Sequence, residues 1–147
     1  MAQRISWAST VPAGYAVMSE LERYGRKTVD PTVLHLIKIR ASILNGCAFC
    51  LDMHTEEALA EGEHRRRLFA VAAWREAPFF DDRERSALAL TDAVTRLGDD
   101  GVPDDVWDEA AKHWSSEELA NLVLAIGIIN VWNRIVVATR RQPPPLT

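Results

Sequence analysis

The residues best equipped for chemistry lie in one stretch of ten, NGCAFCLDMH, from Asn45 to His54. It holds both cysteines of the chain, Cys47 and Cys50, and a histidine four residues after the second. Placed on one α-helix at about 100° per residue, Cys47, Cys50 and His54 fall within roughly 60° of one another and share a face. Cys50 and His54 stand at the spacing where helical side chains meet, so the imidazole can take the thiol proton or stabilise the thiolate. Cys47 falls in the first turn, where unpaired N–H groups and the helix dipole favour an anion such as a thiolate.

These parts suffice for a peroxide cycle. A thiolate attacks a peroxide oxygen and becomes a sulfenic acid, and the neighbouring thiol condenses with it to a disulfide. An external dithiol then reduces that disulfide by exchange. Four other readings use the same residues. A zinc site would recruit His35, His64 or His113 as a fourth ligand, but structural zinc usually shows a second ligand pair at regular spacing, which is missing here. Covalent haem attachment needs a histidine directly after the second cysteine, where Leu51 stands. A thioredoxin-like site needs a strand before the motif, whereas Val33 to Leu44 reads as helix. An inert buried cysteine pair also remains open. The redox-active dithiol is the reading adopted, with no metal and no cofactor expected.

The elements that must position this trio all read as helices. Pro12 opens the first, with Ala16, Val17, Leu21 and Tyr24 at helical spacing before Gly25 closes it. Asp30-Pro31 is a cap followed by proline at the first helical position, and Asn45-Gly46 supplies the stop. Further helices are expected from about Cys47 to Gly62, from His64 to about Glu76, from Asp81-Asp82 to Gly98, and briefly from Pro103. Ser115 with Glu118 forms a capping box for a last helix running to Arg140 or Arg141, stopped by Pro143 to Pro145. No segment alternates like a strand and no repeat is evident. The expectation is an all-α, single-domain bundle of six or seven helices over residues 1–147, with a core motif region at about 12–98 and a long C-terminal helix at about 116–141.

That last helix, LVLAIGIINVWNRIVVA, is apolar nearly all round and therefore buried on more than one face. At 1.5 Å per residue it spans roughly 36 Å, more than a small chain easily surrounds. Its cover is either another subunit or the monomer's own core, and a homo-oligomer is expected. Trp74, Trp107, Trp114 and Trp132 are read as packing residues.

The chain has 147 residues, 48% hydrophobic and 26% charged, with net charge −4 and pI near 5.6. This is ordinary globular composition and argues against electrostatic nucleic-acid binding. The basic run His64 to Arg67 sits beside Glu61 and Glu63 and reads as a solvated helix face. The N-terminus lacks a signal-peptide pattern, and Asn121, Asn130, Asn133 and Arg134 make the last helix too polar for a membrane span. A cytoplasmic location is expected, where a thiol pair is catalytic or metal-binding more often than a permanent disulfide.

The stretch LHLIKIRASILNGCAFCLDMHTEEALAEG resembles the core of the alkylhydroperoxidase-D-like branch of the carboxymuconolactone decarboxylase family. FDDRERSALALTDAVT and IINVWNRIVVATR are similar to the same branch, and the resemblance runs from about Pro12 to Arg140. It implies an all-helical fold, thiol-dependent reduction of hydroperoxides, and homo-oligomers, often trimers or hexamers. It also implies a lipoylated or other dithiol protein as reductant. True decarboxylases of the family generally lack the cysteine pair, which points away from that activity. Cys50, which pairs directly with His54, is expected to attack the peroxide, and Cys47, nearer the helix end, to resolve the sulfenic acid and exchange with the reductant. The rival functions are a dithiol sensor or disulfide reductase, and a helical assembly module with zinc-bound or inert cysteines.

One position departs from the family pattern. The family glutamate twelve residues before the first cysteine is His35 here. An imidazole can relay protons but cannot stabilise a protonated His54 as a carboxylate does. His54 is therefore expected to be a weaker base, with His35 within reach of His54 or a cysteine, and His35→Glu is expected to raise the peroxidase rate.

Overall fold

In the computed structural model, residues 2–146 are described, and they form eight α-helices with no strand among them. The helices are α1 (Trp7–Thr10), α2 (Pro12–Thr28), α3 (Pro31–Asn45), α4 (Ala48–Ala60), α5 (Arg65–Ala70), α6 (Asp82–Thr95), α7 (Asp104–His113) and α8 (Ser116–Thr139). A single 3-10 turn, Val71–Ala73, follows α5. The all-α expectation holds, with one short helix more than anticipated at the N-terminus.

The start signals act as their chemistry dictates. The Asp30 side chain accepts from the Val33 amide at 3.2 Å. Asp81 with Glu84 and Ser115 with Glu118 both close full capping boxes. Gly46 adopts the left-handed conformation, φ 65°, that ends α3 and turns the chain directly into α4. Two boundaries differ from expectation. Gly25 does not close α2; it is buried within it, with Ile128 Cδ1 of α8 3.8 Å from where a Cβ would stand. The helix expected from His64 to Glu76 narrows into the 3-10 turn at Val71.

Helix α3 lies at the centre and packs against α4, α6 and α8. It is buried without interruption from Val33 to Ser42, so its polar residues need partners. Arg40 meets Asp92 of α6 in a two-pronged contact at 2.5 and 3.2 Å and donates to the Ala72 carbonyl. Lys38 pairs with Glu22 of α2, and His35 with Glu61 beyond the end of α4. The basic run is also more than a solvated face. Arg67 is half-buried and bridges Glu63 and Glu84, while Arg65 and Arg66 stay exposed.

By length and mean hydropathy, 1.8 over its most apolar window, α8 could cross a membrane, so its asparagines do not by themselves exclude a span. It packs as a core helix instead, touching α2, α3, α4, α6 and α7. Two of its three asparagines, Asn130 and Asn133, face inward. Asn133 is fully buried and donates to Ser42 Oγ, and Asn130 donates to Thr95 Oγ1. Asn45 Nδ2 donates to the side-chain oxygens of both, at 3.0 and 2.9 Å. This amide cluster ties the corner before the cysteines to α8. Leu124 and Val131, seven residues apart on one face of α8, remain exposed, as does Val137 farther round the helix. Trp74 and Trp114 are buried as packing residues, Trp107 is exposed, and Trp132 is half-buried.

Candidate active site

Cys47 stands at a double corner. Its amide donates back to the Ser42 carbonyl at 3.0 Å, closing the end of α3. Its sulfur accepts from the Cys50 amide at 3.3 Å, capping the start of α4. The sequence expectation of a first-turn cysteine is met one position earlier, at the cap itself. Cys47 and Cys50 are joined in a disulfide, with Cα atoms 5.3 Å apart. Both are almost wholly enclosed, 1% and 2% exposed, and pack with Val136 and Phe49.

The two sulfurs are not equivalent. Cys50 and His54 line a cavity of about 280 Å³, and Cys47 does not. Its apolar wall is built by Tyr15 of α2, Phe49 and Met53 of α4, and Trp132 and Val136 of α8. Trp132 therefore lines a cavity as well as packing, with Tyr15 and Trp7 meeting it edge-on.

Around His54 lies a charged cluster that sequence reasoning did not assemble. His54 Nδ1 is 3.1 Å from Glu57 Oε2, one turn along the same helix. Glu57 is held from the other side by Arg26 Nη2 at 3.2 Å, and Arg26 Nε reaches Glu22 at 3.3 Å. Glu22 also pairs with buried Lys38, so α2, α3 and α4 share one alternating network. The His54 hydrogen bond and Arg26 hold the Glu57 carboxyl down at about 2, against the opposing effect of burial. Burial pushes the His54 pKa below its ordinary value, and Glu57 opposes that only in part. Burial likewise lowers the Lys38 ammonium against its attraction to Glu22.

The expected weak basicity of His54 thus has a different cause. A carboxylate partner exists, Glu57, and desolvation is the larger influence. The His-x-x-Glu spacing on one helix was a visible signal for it. Glu22 and Arg26 show as an i,i+4 pair on α2, but nothing in the sequence places that pair beside Glu57 and Lys38, which only the packing of the helices does.

His35 does not join the cluster. Its Nε2 lies 2.7 Å from Glu61 Oε2, and its side chain is 6% exposed. It lines a separate cavity with Glu61, Glu63, Arg67 and Glu84, and its Nδ1 has no hydrogen-bond partner. The expected contact from His35 to His54 or a cysteine is therefore replaced by the bond to Glu61. The physical reason is position along the axis: His35 and Lys38 share a face of α3 one turn apart, and the earlier turn meets Glu61 just past α4 while the later one meets Glu22 of α2. His64 caps α5 and His113 pairs with Glu109 on α7, so neither stands beside the thiols as a fourth metal ligand. Among the described residues no group of three His, Cys, Asp or Glu is arranged to hold a metal ion.

With these groups in place, Glu57 accepts the Nδ1 proton and leaves the other ring nitrogen, Nε2, as the basic site. A neutral His54 one turn from Cys50 is suited to take its thiol proton. The capping position of Cys47 is suited to a thiolate.

Comparison with known proteins identifies the family. Residues 10–93 match the carboxymuconolactone decarboxylase family. The chain is 40% identical over 139 residues to the uncharacterized protein YdfG of Bacillus subtilis, covering 94% of this chain and 95% of that one. It is 30% identical over 131 residues to the uncharacterized protein YnjA of Escherichia coli, covering 86% and 71% of the two chains. A crystal structure from Agrobacterium tumefaciens superposes with a TM-score of 0.95 at 40% identity, over 99% of this chain and all of that one. That protein is of unknown function and has been suggested to be an antioxidant defence protein AhpD. On fold, family match and sequence identity together, the chain belongs to the carboxymuconolactone decarboxylase family.

Proposed function

We propose that this protein is a thiol-dependent peroxidase of the alkylhydroperoxidase-D type. The observation that carries the reading is the Cys47–Cys50 pair with His54 on one helix, where Cys50 and His54 open onto an apolar cavity. In the reduced protein His54 takes the Cys50 proton. The Cys50 thiolate attacks the terminal peroxide oxygen, the O–O bond breaks, and the products are a Cys50 sulfenic acid and an alkoxide that leaves as the alcohol. Cys47 then attacks the Cys50 sulfur, forming the disulfide and releasing water.

Recovery needs an external dithiol, lipoylated or otherwise. Because Cys50 lines the cavity and Cys47 does not, the reductant's thiolate meets Cys50 first, and Cys47 departs as thiolate. A leaving thiolate at a helix cap is favoured there, since exchange is faster for a lower-pKa leaving group. This reverses the exchange role expected for Cys47 from its place nearer the helix end and keeps its resolving role.

The test is stopped-flow oxidation of the reduced protein by hydrogen peroxide and by cumene hydroperoxide, with thiol titration before and after. Two thiols should be lost per peroxide consumed, faster than in free dithiothreitol. Cys47→Ser should stop at a trappable sulfenic acid on Cys50, and Cys50→Ser should not react. Thiols that oxidise with disulfides and not with peroxides would identify a dithiol sensor or disulfide reductase instead.

A further inference from the structure

The mouth of the Cys50 cavity carries a charge that the reaction above does not use. After α8 the chain turns sharply: Arg140 takes the left-handed conformation, φ 60°, with its amide donating to Val137 and the Arg141 amide to Val136. Arg140 is the one non-glycine with positive φ among the described residues, and such a residue usually marks a local demand on the backbone. What the turn achieves is placement. It carries the Arg141 guanidinium over the ring of Phe49, 4.0 Å from its centroid, where it joins the cavity lining.

The two arginines at this cavity differ in their partners. Arg26 is already matched to Glu22 and Glu57. Arg141 has no carboxylate partner among the described residues. The cavity thus presents an apolar, aromatic wall, a redox sulfur, the carboxylates of Glu22 and Glu57 neutralised by Arg26 and Lys38, and, among the described residues, one cation without a carboxylate partner. At about 280 Å³ it lies near the lower end of small-molecule pockets, roughly 300–1,000 Å³.

We propose that this cavity selects compact organic hydroperoxides carrying a carboxylate, with Arg141 reading the negative charge. The assignment rests on the peroxidase reading. The apolar body lies against Phe49, Met53 and Trp132, the hydroperoxide reaches Cys50, and the carboxylate meets the guanidinium. The chemistry is unchanged: Cys50 gains one oxygen, and the O–O bond breaks to leave a hydroxy acid. Arg141 is a specificity residue and moves no proton.

The experiment compares cumene hydroperoxide with its para-carboxylate analogue, each rate divided by the peroxide's rate with free dithiothreitol. The reduced protein should prefer the carboxylate by roughly two- to fivefold, the range expected for a partly exposed ion pair. Added salt should shrink the preference. Arg141→Gln should bring the ratio to about one, Arg141→Lys should keep part of it, and Arg65→Gln, at an exposed arginine elsewhere, should leave it intact. A ratio near one in the native protein, or one that survives Arg141→Gln, overturns the assignment and leaves the peroxidase reading standing. Failure of both peroxides to oxidise the thiols faster than dithiothreitol overturns both.

Discussion

Glu57 Oε2 lies 3.1 Å from His54 Nδ1, and the two residues occupy successive turns of the helix that begins with the cysteine pair. The contact fixes which ring nitrogen carries the proton, so the carboxylate acts on the thiols through the imidazole. Glu57 is accordingly a positioning residue. Replacing it with glutamine keeps a hydrogen-bonding group and removes the charge. Glu57→Gln is expected to slow thiol oxidation by about tenfold near pH 7, the equivalent of one pKa unit at His54. The pH profile of the rate checks this. An unshifted profile in the variant would remove Glu57 from the mechanism.

Acid should destabilise the fold through the same pair, in two stages. His54 has a folded pKa below its ordinary 6.5. As pH falls below that value the unfolded chain gains a proton that the folded one resists, and stability declines until His54 itself titrates. Glu57 is held at about 2 against an ordinary 4.5, so its contribution is complete above about 4.5 and is lost as pH falls towards 2. His54→Gln should remove the upper stage and leave the lower weakened, since the imidazole is the main cause of the Glu57 shift. Urea midpoints measured from neutral pH downward read both stages. A His54→Gln protein with the native pH dependence would contradict the assignment.

His35→Glu is now expected to harm the protein rather than accelerate it. The new carboxylate would face Glu61, which His35 meets at 2.7 Å, from a position with almost no solvent access. Loss of that bond and the like-charge contact should cost roughly 1–3 kcal/mol of stability. His35→Gln, which keeps a donor, should cost less and leave thiol oxidation within about twofold of native. Chemical denaturation and stopped-flow rates decide between this and a relay role for His35.

A second copy of the chain is the expected cover for the outer faces of α2 and α8. Val17, Leu21 and Tyr24 on the first, and Leu124 and Val131 on the second, are exposed. The two helices are neighbours, with the Tyr24 hydroxyl donating to Asn121 Oδ1 at 3.0 Å. Contiguous exposed apolar surface of this kind marks interaction sites in soluble proteins. Light scattering at micromolar concentration should give a trimer or hexamer, and Leu124→Asp with Val131→Asp should lower the assembly size. A compact monomer for the native protein would end this proposal.

Much of this architecture is legible from local chemistry. Asp30, Asp81 and Ser115 announce their helices because a cap needs only residues within one turn. Asn45-Gly46 announces its stop for the same reason. Gly25 misleads, because a glycine buried at a helix crossing and a glycine at a helix end look alike in sequence. Arg67 misleads similarly, since Glu84, which anchors it, lies on another helix. At the site, the cysteines and His54 are readable from spacing, and Glu57 could have been. The Arg26, Glu22 and Lys38 part of the network depends on how α2 lies across α3, and no short-range pattern records that.

The amide cluster behind the cysteines bears on how the fold opens. The first turn of α4 hangs on Cys47, which accepts from the Cys50 and Leu51 amides, and the corner that carries Cys47 is itself held by its bond to Ser42 and by Asn45 on both Asn130 and Asn133. Local fraying, the usual behaviour of a helix end, is therefore suppressed where the redox pair sits. Amide hydrogens at Cys50 and Leu51 should exchange with deuterium on the timescale of global unfolding, more slowly than those near the far end of α4. On the peroxidase proposal, a reductant would then have to reach Cys50 through the cavity with a slender dithiol arm, because a flat protein surface would stop at the rim.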